Sequence, residues 1–262
     1  MRALHTAATG MAAQELNVQV ISNNIANMRT TGYKRQRAEF QDLLYEHVSR
    51  VGTQTSQQGN MLPAGIELGS GVKAVGTPRI MTQGGLAASG KDYDVAIRGE
   101  GFFKITMPDG RTAYTRDGSF ELDAQGRLVT AHGNLVQPGI TIPQNATSVT
   151  INAQGQVSAS LPGTTSTTTL GQIELARFVN KAGLTGAGDN LYFETPASGT
   201  PQNGTPSSEG MGDLMQGNLE QANVEAVSEI SDLIAAQRAY EMNAKVITAA
   251  DQMLSATSNL MR

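Results

Sequence analysis

The strongest constraint in this 262-residue chain is the spacing of apolar side chains at its two ends. Alternating steps of three and four residues from Leu4 reach Ala7, Met11, Gln14, Val18, Ile21, Ile25 and Met28, and seven of these eight positions are apolar. Apolar residues that recur every 3.5 positions fall on one stripe of an α-helix, the pattern of a coiled-coil seam. The spacing predicts a helix that stops near Arg29-Thr30-Thr31-Gly32, where Gly32 suits a left-handed C-terminal cap. The same steps from Ala226 reach Ile230, Leu233, Gln237, Tyr240, Ala244, Ile247, Asp251, Leu254, Ser258 and Met261. Neither Pro nor Gly occurs from Val224 to Arg262, so one helix of more than thirty residues is expected there. Gln237, Asp251 and Ser258 are polar breaks of the kind that fix register or partner choice. Further small apolar residues off the stripes, among them Ala12, Ala13, Val20, Ala235, Ala236 and Val246, give each helix more than one adhesive face. Such helices suit contact with several neighbours. A plain intramolecular helix pair is the competing reading. The run Asn23-Asn24-Ile25-Ala26-Asn27 either hydrogen-bonds between packed helices or lies solvated.

Between these ends the signals change. Lys34-Arg35-Gln36-Arg37 carries three cations, but the chain holds 19 Lys+Arg against 23 Asp+Glu, so the cluster reads as a solvated face and not a nucleic-acid contact. Phe40 to Val48 forms a short amphipathic run with Phe40, Leu43, Leu44 and Val48 on one side. Thr53 to Gly76 is polar and Gly-rich, with Pro63 and several glycines interrupting Ile66, Leu68, Val72 and Val75; it reads as extended chain or a long hairpin. From Val95 to about Phe193 the pattern is β. Pro108-Asp109-Gly110 marks a hairpin turn, and Leu122-Asp123-Ala124-Gln125-Gly126-Arg127-Leu128 is echoed by Ile151-Asn152-Ala153-Gln154-Gly155-Gln156-Val157. Ile173 to Val179 and Leu191 to Glu194 are further candidate strands, whereas Ser158 to Thr169 and Pro196 to Pro206 read as polar loops.

The residues needed for catalysis are not assembled in the sequence. There is no Cys, which excludes thiol nucleophiles, disulfides and thiolate metal sites and suits an oxidising compartment. His5, His47 and His132 lack metal-ligand spacing, and no phosphate loop or Gly-x-Ser-x-Gly elbow is present. Gly69-Ser70-Gly71-Val72-Lys73-Ala74 imitates a dinucleotide fingerprint, but Gly76 and Pro78 bar the helix that must follow. No catalytic, cofactor or metal residue is assigned. No apolar stretch approaches the ~18–20 residues of a membrane span, so membrane insertion is not expected. The first residues lack the apolar core of a cleaved secretory signal.

Several collinear segments together resemble the bacterial flagellar rod and hook axial proteins. At the N-terminus these are Gly10-Met11-x-Ala13-Gln14, Val20 to Asn27 and Thr31-Gly32-Tyr33-Lys34. The central segments are Asp94 to Phe103 and Tyr114 to Phe120; the C-terminal ones are Gly217-Asn218-Leu219-Glu220, Asn223-Val224 and Gln237-Arg238-Ala239-Tyr240-Glu241. Chain length, Leu43-Leu44-Tyr45 and Leu62 to Val72 look most like the distal-rod branch of that family; a proximal rod or hook component is the near alternative. A wall-lytic enzyme of the flagellar apparatus would need an acidic site that is not found.

The resemblance implies an α+β fold in which the terminal helices pair as a coiled coil around an inserted, mainly β outer domain and a hairpin-like stretch. The implied division is a helical core (1–30 and 220–262), a connecting domain (31–76 with part of 205–219) and a β-rich outer domain (77–204). Assembly residues expected on the helices are Leu4, Met11, Val18, Ile21, Asn23, Asn24, Ile25, Asn27, Met28, Ile230, Leu233, Tyr240, Ile247 and Leu254. Ile66, Leu68, Val72 and Val75 are expected between neighbouring subunits. Implied partners are further copies of the chain, proximal rod and hook-side axial proteins, a surrounding ring bushing and the type III export apparatus. The implied location is the basal body across the periplasm, reached without a cleaved signal.

Overall fold

The computed structural model describes residues 2–49, 64–163, 167–208 and 210–260. The chain divides into two compact units and passes between them four times. The first unit comprises Met1–Ile25, Gln36–Pro78 and Glu225–Arg262; the second comprises Ala26–Arg35 and Arg79–Val224.

The first unit contains both long helices, α1 (Arg2–Ala26) and α2 (Ala226–Leu260). It also contains four short strands: β1 (Glu39–Asp42), β2 (Tyr45–Ser49), β3 (Ile66–Gly69) and β4 (Val72–Gly76). β1 pairs antiparallel with β4, and β2 with β3. The amphipathic run Phe40 to Val48 is therefore two strands joined at Leu43-Leu44, whose pairing partners lie in the later segment Ile66–Gly76. Thr53 to Pro63 lies outside the described residues.

After α1 the chain turns through residues 27–32, with Thr30 N–H donating to Asn27 O at 3.0 Å and Tyr33 N–H to Thr30 O at 3.3 Å. Gly32 has φ +68°, and a Cβ there would meet Asp117 N at 2.7 Å. Both the left-handed backbone and the close approach call for glycine.

The second unit is β. Its strands are β5 (Leu86–Ala88), β6 (Val95–Arg98), β7 (Phe102–Thr106), β8 (Thr112–Thr115), β9 (Phe120–Leu122), β10 (Leu128–Thr130), β11 (Leu135–Val136), β12 (Ser148–Ile151), β13 (Gln156–Ser160), β14 (Thr167–Gln172), β15 (Leu175–Arg177), β16 (Thr185–Gly188), β17 (Leu191–Phe193), β18 (Gln202–Gly204), β19 (Asp213–Gln216) and β20 (Asn218–Glu220). β7 is the centre of a nine-stranded sheet. β8 pairs along one edge of β7, while β15 and β11 share the other, opposite Phe102–Phe103 and Ile105–Thr106 respectively. Because successive side chains of a strand point to opposite faces, Phe102 and Phe103 seed two separate cores. Phe103 packs edge-on to Phe120 at 5.0 Å within a cluster that includes Val95, Ile97, Ile105, Leu128 and Val157. Phe102 joins Tyr114, Phe178, Leu184 and Tyr192.

The turns expected at Pro108-Asp109-Gly110, Asp123 to Gly126 and Asn152 to Gly155 all join antiparallel pairs: β7–β8, β9–β10 and β12–β13. Within Ser158 to Thr169, read as loop, 158–160 and 167–169 are strand: β14 pairs with β13, and β18 within 196–206 pairs with β15. β12 is closed on its outer edge by the Gln216 side chain. Its Nε2 donates to Val149 O at 2.9 Å and to Asp92 O at 2.7 Å, and its Oε1 accepts from Ile151 N at 2.9 Å.

Burial pushes the Tyr114 phenol up to about 12, reinforced by the charge and hydrogen bond of Glu194. A folded-state value above the unfolded value of 10.0 stabilises the fold fully below pH 10 and progressively less as pH rises towards 12. The expected result is that the unfolding free energy falls as pH rises from 10 towards 12. A phenolate absorbance titration coupled to urea unfolding measures it. Ionisation of all six tyrosines near pH 10 would contradict the burial of Tyr114.

Candidate assembly surfaces

Two contacts fix how α1 and α2 meet. A Cβ at Gly10 would stand 2.9 Å from Asn243 Nδ2, so the helices approach closely where α1 has no side chain. Near the other end of α1, Asn24 Nδ2 donates to Glu229 Oε2 at 3.1 Å and to Gln36 O at 2.8 Å, while Asn24 Oδ1 accepts from Gln36 N at 2.9 Å. Fourteen residues separate the contact points on each helix, Gly10 to Asn24 and Glu229 to Asn243, so the helices run antiparallel and level. α2 then runs about nine residues past the start of α1, roughly 13 Å.

The inner face of this pair differs from the stripe read in the sequence by one position. Ala7, Gln14 and Ile21 on α1 and Ala226, Leu233 and Ile247 on α2 are buried or half-buried, as that stripe requires. The alternate positions on the inside are Gly10, Asn17 and Asn24, facing Glu229, Ala236, Asn243 and Ala250. Met11, Val18 and Ile25 are displaced to the half-buried flank, with Leu4 at the same level of burial. The displacement has a steric reason: small residues allow close approach, and Asn24 and Glu229 satisfy one another. It leaves large apolar side chains uncovered. On α2, Ile230, Ile234, Met242, Val246, Met253 and Leu254 are between 45% and 65% exposed, and Tyr240 is exposed as well. Asn23 is exposed, Met28 is borderline exposed, and Asn27 Oδ1 accepts from the Thr30 hydroxyl at 3.2 Å.

The paired strands of the first unit offer a second uncovered surface. Leu44, Tyr45, Val48, Ile66, Leu68 and Val75 are exposed and Val72 is half-buried. Their root is held by Leu43 N donating to Gly71 O at 2.9 Å and Arg37 N to Pro78 O at 3.1 Å. Arg2 reaches from α1 to both carboxylate oxygens of Glu46, at 2.8 and 2.6 Å. His47 Nδ1 lies 3.2 Å from Glu67 Oε1 across the β2–β3 pair.

One residue of the basic run is not solvated. Lys34 is 1% exposed and donates from Nζ to Glu220 Oε1 at 2.5 Å and to Thr82 O at 2.8 Å. Glu220 Oε1 also accepts from Gly84 N at 2.9 Å. Arg116 Nε stands 2.9 Å from Glu220 Oε2 as an ion pair without hydrogen-bond geometry, and its guanidinium donates to Gly101 O at 2.7 Å. Burial holds the Lys34 amine below the ordinary lysine value despite the opposing pull of Glu220. The expectation of a solvated face fails here because the counter-charge lies 186 residues away. Arg37 keeps to that expectation, with a largely exposed side chain. Among the described residues no group of three or more His, Cys, Asp or Glu is placed to hold a metal ion. No helix among them is long and apolar enough to cross a membrane.

Residues 4–34 match the flagella basal body rod protein family, 96–159 the flagellar hook protein FlgE/F/G D1 domain, and 215–260 the flagellar basal body rod FlgEFG protein C-terminal family. The chain is 56% identical over 260 residues to the flagellar basal-body rod protein FlgG of Caulobacter vibrioides, covering 99% of each chain. It is 50% identical to the FlgG protein of Agrobacterium fabrum over the whole of both chains. To that of Borreliella burgdorferi it is 47% identical, over 100% of this chain and 99% of the relative. A flagellar hook protein FlgE of Treponema pallidum is 38% identical over 138 residues, only 29% of its own length. With full-length identity of this order to several rod proteins, the chain belongs to the FlgG family of flagellar basal-body rod proteins, structural components of the basal body and not enzymes.

Proposed function

We propose that this chain polymerises with itself into a helical tube, the distal part of the rod, which carries torque from motor to hook. The observation that carries this reading is the unused apolar surface of α2, which the single α1 partner leaves exposed. A subunit with two different adhesive faces makes heterologous contacts, and these generate a helical filament where the rotation does not close. In this reading α1 and α2 pair as an antiparallel coiled coil, supported by the level contacts at Gly10–Asn243 and Asn24–Glu229. In this reading the chain forms a helical core, a connecting domain and an outer β domain, with the 26–35 and 220–224 segments belonging to the β-rich unit. Leu4, Met11, Val18, Ile25, Met28, Ile230, Tyr240 and Leu254 face neighbouring subunits. Ile21, Leu233, Ile247, Asn24 and Asn27 hold the helix pair and its following turn. Asn23 contributes from the exposed side. The tube continues into proximal rod and hook-side axial proteins, turns within a ring bushing and crosses the periplasm. Its subunits leave the cell through the export apparatus. The extent of identity to FlgG proteins favours the distal rod over the hook. Electron microscopy of material assembled from the purified chain tests the proposal. Helical tubes are expected, and persistent monomers at high concentration would refute it.

Strands β1 to β4 form one hairpin-like ribbon in this reading and stiffen the tube by wedging between subunits. An isolated two-stranded ribbon is at best marginally stable in water, and this one exposes apolar residues on both strands. Removing residues 45–69 is expected to leave polymerisation intact and to shorten the persistence length of the tubes severalfold in electron micrographs. Equal stiffness would mean that the ribbon is a passive connector.

A further inference from the structure

We propose that Glu220 is the closing latch of the β-rich unit, engaged after its sheet has formed. Its carboxylate is the shared counter-charge of two buried cations drawn from distant parts of the chain, Lys34 (1% exposed) and Arg116 (4%). Its backbone carbonyl accepts from Gly32 N at 2.8 Å, so the same residue holds both the backbone and the side chain of the 32–34 segment. Take the carboxylate away and the same packing leaves two cations facing each other out of water, where like charges repel most strongly. Asn190 Nδ2 also donates to Thr31 O at 2.9 Å, but the buried Lys34 of the 26–35 segment gains its counter-charge only when residue 220 arrives.

Loop closure sets the order. The β7–β8 and β9–β10 pairs join residues a few positions apart, whereas the latch closes a loop of 186 residues. The local hairpins form before that closure is rewarded. A chain made from its N-terminus thus leaves Lys34 without its counter-charge until nearly the whole β unit has been synthesised. This inference rests on the second unit alone and does not depend on polymerisation.

Pulse-labelling hydrogen exchange during refolding of the full-length chain reads the order directly. The Gly32 amide is expected to gain protection after the β7 and β8 amides, and simultaneous protection would overturn the proposal. The counter-charge role has its own readout. Glu220→Gln is expected to speed unfolding on the order of 10²- to 10³-fold, the effect of orphaning a buried charge. In a Lys34→Met background the same substitution is expected to cost at least about tenfold less, because one of the opposed cations is gone. An equal cost in both backgrounds would show that the carboxylate is not acting as a counter-charge. If Glu220→Gln does not fold, the apolar triple Lys34→Met/Arg116→Met/Glu220→Leu decides. Recovery of the folded state supports the latch, and failure to recover it overturns it.

Discussion

Phe103→Ala is expected to destabilise the β-rich unit by about 3–5 kcal/mol, the cost of removing a large buried aromatic side chain from a close-packed core. Phe103 is fully buried on the central strand β7, in register with Thr115 on one side and Leu175 on the other. Its ring meets Phe120 edge-on with an interplanar angle of 82°. The chain has no Trp and only six Phe and six Tyr, so few other side chains can fill the cavity by rotating into it. Val179, 82% exposed, is the control: Val179→Ala is expected to stay within about 0.5 kcal/mol of the parent. Urea unfolding followed by circular dichroism compares them. A Phe103→Ala loss below about 1 kcal/mol, the ordinary cost of a point mutation, would mean that this sheet is not the centre of the unit.

The parts of this fold that were legible in the sequence are those whose cause is local. Asp123 Oδ1 accepts from Gln125 N at 2.9 Å and Arg127 N at 2.8 Å, and Asn152 Oδ1 accepts from Gln156 N at 2.8 Å. Turns built from their own residues can be read from those residues. The two long helices were legible for the same reason, as period and the absence of Pro and Gly are local properties. β14 and β18 were not. Thr167–Gln172 and Gln202–Gly204 are polar and Gly-containing, and they become strands because β13 and β15 offer them an edge. Strand formation of that kind is decided by the neighbour more than by intrinsic preference. Lys34 failed in a related way. Beside Arg35 and Arg37 it resembles a solvated cluster, and nothing nearby announces Glu220. The collinear motifs did include Lys34, Arg116 and Glu220, but only as marks of resemblance, so the ion cluster they form was present in the sequence without being readable as one.

The helix faces are the instructive intermediate case, and they carry the prediction with the largest effect on assembly. Periodicity located a stripe on each helix but not which of two adjacent stripes the other helix covers. Alanine and glycine score poorly as apolar anchors, yet close packing selects them: Ala236 is 3% exposed, whereas Val246, ten residues on, is 47% exposed. The two positions therefore have different jobs. Ala236→Asp buries an unpaired charge inside one subunit, costs several kcal/mol, and is expected to loosen the helix pair in the monomer, seen as lost helical dichroism. Val246→Asp places its charge in water while the subunit is alone, so the monomer's dichroism and unfolding midpoint are expected to match the parent. In the polymer the same charge would be trapped between subunits. At tenfold per 1.4 kcal/mol, a penalty of a few kcal/mol raises the critical concentration for assembly by at least ~100-fold. Sedimentation of polymer across a concentration series, with circular dichroism on the unassembled chain, separates the two effects. Val246→Asp tubes forming at the parental concentration would remove this face of α2 from the subunit interface. The tube would then have to be held by the ribbon and the β-rich unit, with α2 reduced to a strut within its own subunit.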